Sequence, residues 1–351
     1  MRIAVDCRMC GKSGIGMFID GLLPHFACSG HSLLLICRSG CVKEFPGAET
    51  VICDIPLFSA KETFLFPGAY AEKINSCDVY FTPYCSVPSG LRIPVVTTIH
   101  DIVFLDMPDL AGKIGTAARK MFYRRAVRKS AAVLTVSEFS RSRIEEKLGC
   151  SKPVHVVYSS VPEIFRSPRP SGLKKTDTVI FIGNIKRHKG LATLLDAFRI
   201  FREKTEGGCS PRLIVVGARD NFRTDDGSIS AMTDGDSGVE FTGYIDDMRL
   251  RTLLAEARLL VQPSLYEGFG LPPLQALYSG TKAVISDIPV FTEIYAGFPV
   301  TFFRTGDAYD LASKMETVWN DGSCLPGIPE KYSFERTFSL VMDVISGVSA
   351  Q

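Results

Sequence analysis

The run Val261-Gln-Pro-Ser-Leu-Tyr-Glu267-Gly268-Phe269-Gly270-Leu271-Pro272-Pro-Leu-Gln275-Ala joins an apolar strand to a proline-started helix through a turn holding one acid and two glycines. Glycine lets backbone approach a ligand closely, and a proline in the first helical turn gives up no useful donor. The N–H groups of Gly270 and Leu271 are expected at the positive pole of that helix, where an exposed phosphate gains roughly 0.3–1 kcal/mol. Glu267 is no phosphate ligand; its expected partners are hydroxyl groups. A phosphate pole beside a hydroxyl-binding carboxylate is the chemistry that a nucleotide sugar requires.

A second constellation is Phe181-Ile-Gly183-Asn184-Ile-Lys186-Arg187-His188-Lys189-Gly190. Its four cationic or potentially cationic side chains, in a turn between strand and helix, can neutralise a diphosphate, including the charge that develops as a sugar bond breaks. Gly14-Ile-Gly16 follows the first apolar strand, with a helix expected from near Met17, and offers further backbone donors. A dinucleotide fingerprint would need a third glycine where Ile19 stands and an acid where Arg38 follows the second strand, so an NAD site is disfavoured. Thr98-Ile-His100-Asp101 closes a strand at the carboxyl edge where open α/β sheets bind ligands, which draws His100 toward a site; His25, His31 and His155 lack such a setting. Ser137 reads as a helix N-cap, and Asp287 with Glu293 as packing and capping residues.

In these runs the chain resembles the retaining glycosyltransferases of family 4, whose signature places two glutamates eight positions apart in P-S-x-x-E-G-F-G-L-P-x-x-E-A. The resemblance implies a GT-B fold, two Rossmann-like domains facing a cleft, with Glu267 on the donor sugar and Gln275 on the ribose hydroxyls. It also implies Lys189 on the diphosphate, with Asn184 standing where the family has an arginine and Lys186 or Arg187 compensating. Gly268, Phe269, Gly270 and Leu271 belong to the donor loop, Tyr244 borders the nucleobase, and His100 with Gly14 and Gly16 stands near the reacting carbon. The form G-N-x-K-x-H-K is similar to that of bacterial mannosyltransferase-like members, implying GDP-mannose as donor, retention of configuration, no metal, and a glycan or lipid-linked acceptor in cell-surface polysaccharide synthesis such as O-antigen. Two departures stand out. An amide at Gln275 accepts a ribose hydrogen bond at roughly half the strength of a carboxylate, and Asn184 lacks a charge. A UDP- or dTDP-sugar transferase and a non-catalytic nucleotide-sugar binder are the alternatives.

Positioning such residues takes two open sheets. Short β-branched runs alternate with helical stretches, the pattern of parallel sheets covered by helices. Strands are predicted at 2–6, 33–38, 51–55, 79–83, 95–100, 132–136 and 154–158, and again at 179–183, 213–217, 240–244, 259–263, 283–287 and 300–303. The expected division is a first, acceptor-binding domain over 1–166, a proline- and charge-rich linker over 167–178, a nucleotide-sugar domain over 179–333, and a helix over 334–351. The resemblance implies that this last helix crosses back onto the first domain.

Charge is nearly balanced at +2, with 18 Lys+Arg against 14 Asp+Glu in residues 1–150, so no nucleic-acid partner is expected. The acid-free stretch 113–129, with Met121, Phe122 and Val127 at apolar helical positions, reads as a solvated helix face that could also meet an anionic membrane. No apolar run reaches 18 residues and the N-terminus does not read as a signal peptide, so the expectation is a cytoplasmic protein, peripheral at most to the inner face of the membrane. Eleven cysteines, an odd number with one C-x-x-C pair at Cys7 and Cys10, read as free thiols rather than a disulfide or zinc framework. Asp234-Gly-Asp236 sits in polar loop sequence and is not expected to bind a metal.

Overall fold

The computed structural model describes residues 1–11, 13–167, 172–205, 210–217 and 238–350. Within them lie the strands β1 (Arg2–Asp6), β2 (Ser32–Cys37), β3 (Ala48–Ile52), β4 (Val79–Thr82), β5 (Val95–Thr98), β6 (Ala132–Thr135) and β7 (Val154–Val156). A second series follows as β8 (Thr176–Ile182), β9 (Arg212–Val216), β10 (Val239–Gly243), β11 (Ala257–Gln262), β12 (Lys282–Ser286) and β13 (Val300–Phe303). The first seven form one parallel sheet in the order β3-β2-β1-β4-β5-β6-β7, and the other six form a second in the order β10-β9-β8-β11-β12-β13. The central strands are buried on both faces, which is why they read as continuous apolar runs rather than alternating ones.

The chain divides into two compact units, Met1–Ser160 with Lys331–Gln351, and Val161–Glu330. In the first, the C-terminal helix Phe334–Ser349 lies on helix Ser13–Ala27. Phe338 packs edge-on to Phe26 at 5.0 Å and stacks on His25 at 5.7 Å, while Gly21 leaves the space that Phe334 fills: a Cβ there would stand 2.3 Å from the ring. In the second, Phe181, Leu194, Phe198, Phe201, Met315 and Trp319 build the core between sheet and helices.

Several boundaries differ from the sequence expectation, among them the following. The strand predicted at 51–55 runs instead over Ala48–Ile52, an edge strand whose Glu49 and Ile52 face solvent, so the apolar signal there is weak. The second unit begins at Val161 because Phe165 is buried and Arg166 bonds Tyr278 at 3.2 Å and Glu330 at 3.1 Å, all within that unit. The linker read over 167–178 ends sooner, since β8 starts at Thr176; its residues 168–171 lie outside the described residues.

Candidate functional site

In the second sheet the strand order reverses between β8 and β11, and such a switch point opens a crevice outside the carboxyl ends of the strands. The two strongest sequence constellations leave from those two strand ends. They are fastened together by a hydrogen bond from Leu265 N–H to the His188 carbonyl, 2.8 Å. Gly190 adopts φ 72°, and a Cβ on it would stand 1.9 Å from the Pro263 carbonyl oxygen, so only glycine admits this approach. Gly270 adopts φ 82° against the Phe291 ring, where a Cβ would stand 2.3 Å from Cε1.

The geometry brings Lys189 and Glu267 into one ion pair. Nζ stands 2.7 Å from each carboxylate oxygen, with the two side chains 21% and 10% exposed. The carboxylate is held from behind: Ser264 Oγ donates to Glu267 Oε1 at 2.8 Å, Gln262 Nε2 donates to Ser264 Oγ at 3.0 Å, and Ser286 Oγ donates to the Ser264 carbonyl at 2.5 Å. His188 Nδ1 and Gln262 Oε1, in side chains buried beside this pair, have no hydrogen-bond partner among the described residues. Orphaned buried polar atoms of that kind mark a place where water or a ligand atom completes the bonding.

The helix Leu271–Tyr278 carries Gly270 in the left-handed conformation at its N-cap and prolines at its second and third positions. Those two positions have no N–H, and the Leu274 N–H donates to the Tyr295 hydroxyl at 3.2 Å while that hydroxyl donates to the Gly270 carbonyl. Tyr295, fully buried, is thus inserted into the first turn of the ladder and fixes the helix start. The N–H groups of Gly270 and Leu271 remain as the donors this pole can present.

The other expected residues fall out differently. His188 is not a member of the cationic turn: it is buried, and burial followed by the Lys189 charge pushes its pKa down to about 4, so its imidazole is neutral at physiological pH. The turn therefore carries three cations, Lys186, Arg187 and Lys189, with Asn184, Lys186 and Arg187 exposed. Gly268, Phe269, Leu271 and Gln275 are buried in the turn after β11 and the helix that follows it, whereas Tyr244 is 79% exposed after β10. Asp287 accepts from the Thr305 N–H (2.9 Å) and hydroxyl (2.6 Å), which hold its carboxyl below the usual range. It does not cap the helix Pro289–Ile294, whose N-cap Ile288 has no side-chain cap bond, because Thr305 occupies it.

In the first unit, Gly14 and Gly16 lie in the first turn of the helix Ser13–Ala27 rather than in a loop ahead of Met17. Gly16 is required by packing, since a Cβ would stand 2.6 Å from the Met9 carbonyl oxygen; Gly14 has open space around it. His100 Nε2 donates to the Pro83 carbonyl at 2.8 Å and its ring meets Phe18 edge-on at 5.1 Å. That bond leaves Nδ1 as the lone-pair nitrogen, and burial pushes the pKa to about 4, so His100 is a neutral acceptor. Ser137 caps the helix Glu138–Leu148 through the Ser140 N–H at 3.1 Å.

The switch point of the first sheet, between β1 and β4, is filled by protein. Arg8 sits 2.6 Å from both Asp6 and Glu62, all three side chains at most 1% exposed, with Tyr80 and Ser86 donating to the carboxylates. The helix Gly112–Lys129 buries Tyr123, Ala126 and Val127 and leaves Ile114 (88%) and Met121 exposed. No helix among the described residues is long and apolar enough to cross a membrane, and no cluster of three His, Cys, Asp or Glu there could hold a metal ion. Asp234 and Asp236 lie outside the described residues.

Sequence reasoning missed Ser264, Gln262, Ser286 and Tyr295. Ser264 was legible, three residues before Glu267 in the same turn; Tyr295 comes from a distant helix and carries no local signal.

Two domains of this topology, with a cation and a carboxylate at the second switch point, define the class. Residues 12–163 match the family model "Glycosyltransferase Family 4" and residues 176–321 the model "Glycosyl transferases group 1", so that together they span most of the chain. The chain belongs to the family 4 glycosyltransferases, of GT-B fold. It is 29% identical over 230 residues to O-antigen chain mannosyltransferase B of Escherichia coli, covering 62% of this chain and 58% of that one. It is 27% identical over 202 residues to O-antigen chain mannosyltransferase RfbU of Salmonella typhimurium, covering 56% and 53%. The matches thus span little more than half the length of these relatives. Among solved structures, Anabaena HepE in complex with UDP and glucose superposes with a TM-score of 0.73 at 16% identity, covering 99% of this chain and 100% of the other. The apo lipopolysaccharide outer core galactosyltransferase WaaB gives 0.62 at 15%, covering 99% of each.

Proposed function

We propose that the protein transfers a hexose from a nucleotide sugar, with GDP-mannose the expected donor, to a glycan or lipid-linked acceptor in cell-surface polysaccharide synthesis, with retention of configuration and without a metal. The observation that carries this reading is the Lys189–Glu267 pair at the second switch point, a cation for diphosphate and a carboxylate for sugar hydroxyls, beside the Gly270–Leu271 helix pole. Lys189, with Lys186 and Asn184, holds the diphosphate; the amides of Gly270 and Leu271 take phosphate or sugar oxygens; Gln275 takes the ribose and Tyr244 borders the base. Glu267 orients the sugar within the turn formed by Gly268 and Phe269. The first unit supplies the acceptor side through His100 and the Gly14–Gly16 turn, His100 as a neutral hydrogen-bond acceptor.

Retention without a dedicated protein nucleophile is met by a front-face step. The acceptor oxygen bonds to the anomeric carbon as its bond to the phosphate oxygen breaks, and the acceptor proton passes to the leaving phosphate. Lys189 and the helix pole stabilise the charge that collects there. The similarity to the two mannosyltransferases supports mannose as the sugar. The basic face of helix Gly112–Lys129, with Ile114 and Met121 exposed, suits contact with an anionic membrane surface bearing the acceptor, on the cytoplasmic side.

The test is turnover with GDP-mannose, UDP-glucose and dTDP-rhamnose against polyprenol-linked and short mannoside acceptors, with the anomeric configuration of the product read by NMR. An α-mannoside from GDP-mannose is expected. Binding of donor without turnover on any acceptor would make the chain a nucleotide-sugar binder, and an inverted product would refute the front-face step.

A further inference from the structure

An ammonium meant for a diphosphate is, within the protein itself, engaged by Glu267: Nζ lies 2.7 Å from both carboxylate oxygens. An anion arriving at this pole meets two opposed effects. The cations of the 186–189 turn and the N-termini of the helices Leu191–Thr205 and Leu271–Tyr278 attract it, while the Glu267 carboxylate repels it and competes for Lys189. The two partners of the pair are not equally movable. Glu267 is anchored by Ser264, which is anchored in turn by Gln262 and Ser286, whereas Lys189 stands on a flexible four-carbon stem. Exchange therefore moves the lysine and leaves the carboxylate in place.

We propose that Glu267 is the residue that discriminates a sugar-bearing nucleotide from the bare nucleoside diphosphate, by competing with the diphosphate for Lys189. This rests on the nucleotide-sugar reading above. When the ligand carries a sugar, its hydroxyls donate to the Glu267 oxygens and take the place of the ammonium, so Lys189 is released to the phosphates. When the sugar has been transferred, the remaining nucleoside diphosphate offers Glu267 no hydroxyl, and the carboxylate draws Lys189 back. The product is thus bound more weakly than its phosphates alone would dictate, and release is built into the same pair that binds the donor. Ser264 is a positioning residue here, holding the carboxylate while its counter-ion leaves.

The experiment is calorimetric titration of the full chain with GDP and GDP-mannose for the wild type, Glu267→Gln, Lys189→Gln and the double variant. Wild type is expected to bind GDP-mannose more tightly than GDP. Glu267→Gln, which keeps shape and loses charge, is expected to bind GDP about tenfold more tightly than wild type and GDP-mannose less tightly, an order of magnitude set by a half-buried ion pair. In the Lys189→Gln background the gain should shrink to the part due to direct repulsion between carboxylate and phosphate, because the lysine for which Glu267 competes is gone. Glu267→Asp, too short to meet Nζ with both oxygens, should raise GDP affinity in the same direction and serves if the glutamine variant does not fold. An unchanged or weakened GDP affinity on removing the Glu267 charge, or a gain of the same size without Lys189, overturns the exchange alone. Absence of nucleotide binding by the wild type would instead overturn the nucleotide-sugar reading, and the exchange with it.

Discussion

Each of the two sheets has a switch point, and each places a cation between carboxylates or beside one there, yet the two are built for opposite ends. At the first, Arg8 is sealed between Asp6 and Glu62 and also donates to the Ile55 carbonyl, with no side chain of the three more than 1% exposed. Burial alone would raise the Asp6 carboxyl, but Arg8 outweighs it and holds it low; at Glu62 burial wins and raises the carboxyl. At the second, Lys189 and Glu267 form a single pair at the surface of the crevice, with unsatisfied polar atoms next to it. A fork-shaped guanidinium with all three of its nitrogens bonded fixes backbone, whereas a point-charge ammonium on a flexible stem can exchange partners. The same sheet position thus serves as a strut in one unit and, on the proposed function, as a ligand site in the other.

The sharpest way to break this comparison is to exchange the expected losses. Arg8→Met leaves two buried carboxylates without a counter-ion and should cost about 3–5 kcal/mol of unfolding free energy in a denaturant titration, with nucleotide affinity of the folded fraction unaltered. A fall in nucleotide affinity at unchanged stability would erase the distinction between strut and site.

A property common to the two units is readable in pH. His188 and His100 have folded pKa values near 4 against about 6.5 for a free imidazole, so the unfolded chain binds protons that the folded chain does not. Their contribution to stability is complete above about pH 6.5 and is lost as pH falls toward 4, for the well-buried His188 by up to roughly 3 kcal/mol. His188→Asn should flatten that part of the stability profile, measured by thermal unfolding at stepped pH. A profile as steep as the wild type's would mean that His188 is protonated in the fold.

The smallest effect sharpens the site itself. Gln275 is 2% exposed, so Gln275→Glu buries a charge and should lower the melting temperature of the protein alone. With a ribose to accept from, the carboxylate gives the stronger hydrogen bond, and nucleotide should restore more stability than in the wild type while binding a few-fold more tightly. Equal stabilisation of both proteins by nucleotide would take residue 275 off the ribose.

All thirteen strands of the described residues were legible, because strands buried on both faces declare themselves as short apolar runs; the edge strand β3, half in solvent, and the start of β8 were each placed three residues late. The site was legible where one turn carries its residues: Glu267, Gly270 and Gln275 lie within nine positions, and Lys189 with Gly190 in another single turn. What joined the two turns was not. That Lys189 faces Glu267, across 78 positions of chain, depends on the β8–β11 pairing, and that His188 is buried and neutral depends on the loop that Leu265 holds over it. Charge type is written in the sequence; desolvation, which decides whether that charge exists, is written in the packing.

On the proposed function the second switch point binds the diphosphate of a nucleotide through Lys189. Calorimetric titration of wild type and Lys189→Ala with GDP, UDP and dTDP tests it most directly. The expected result is selective binding of GDP by the wild type, with affinity reduced at least about tenfold in a variant that still unfolds in one cooperative transition. Nucleotide binding that survives Lys189→Ala undiminished, or no binding of any of the three by the wild type, would contradict it.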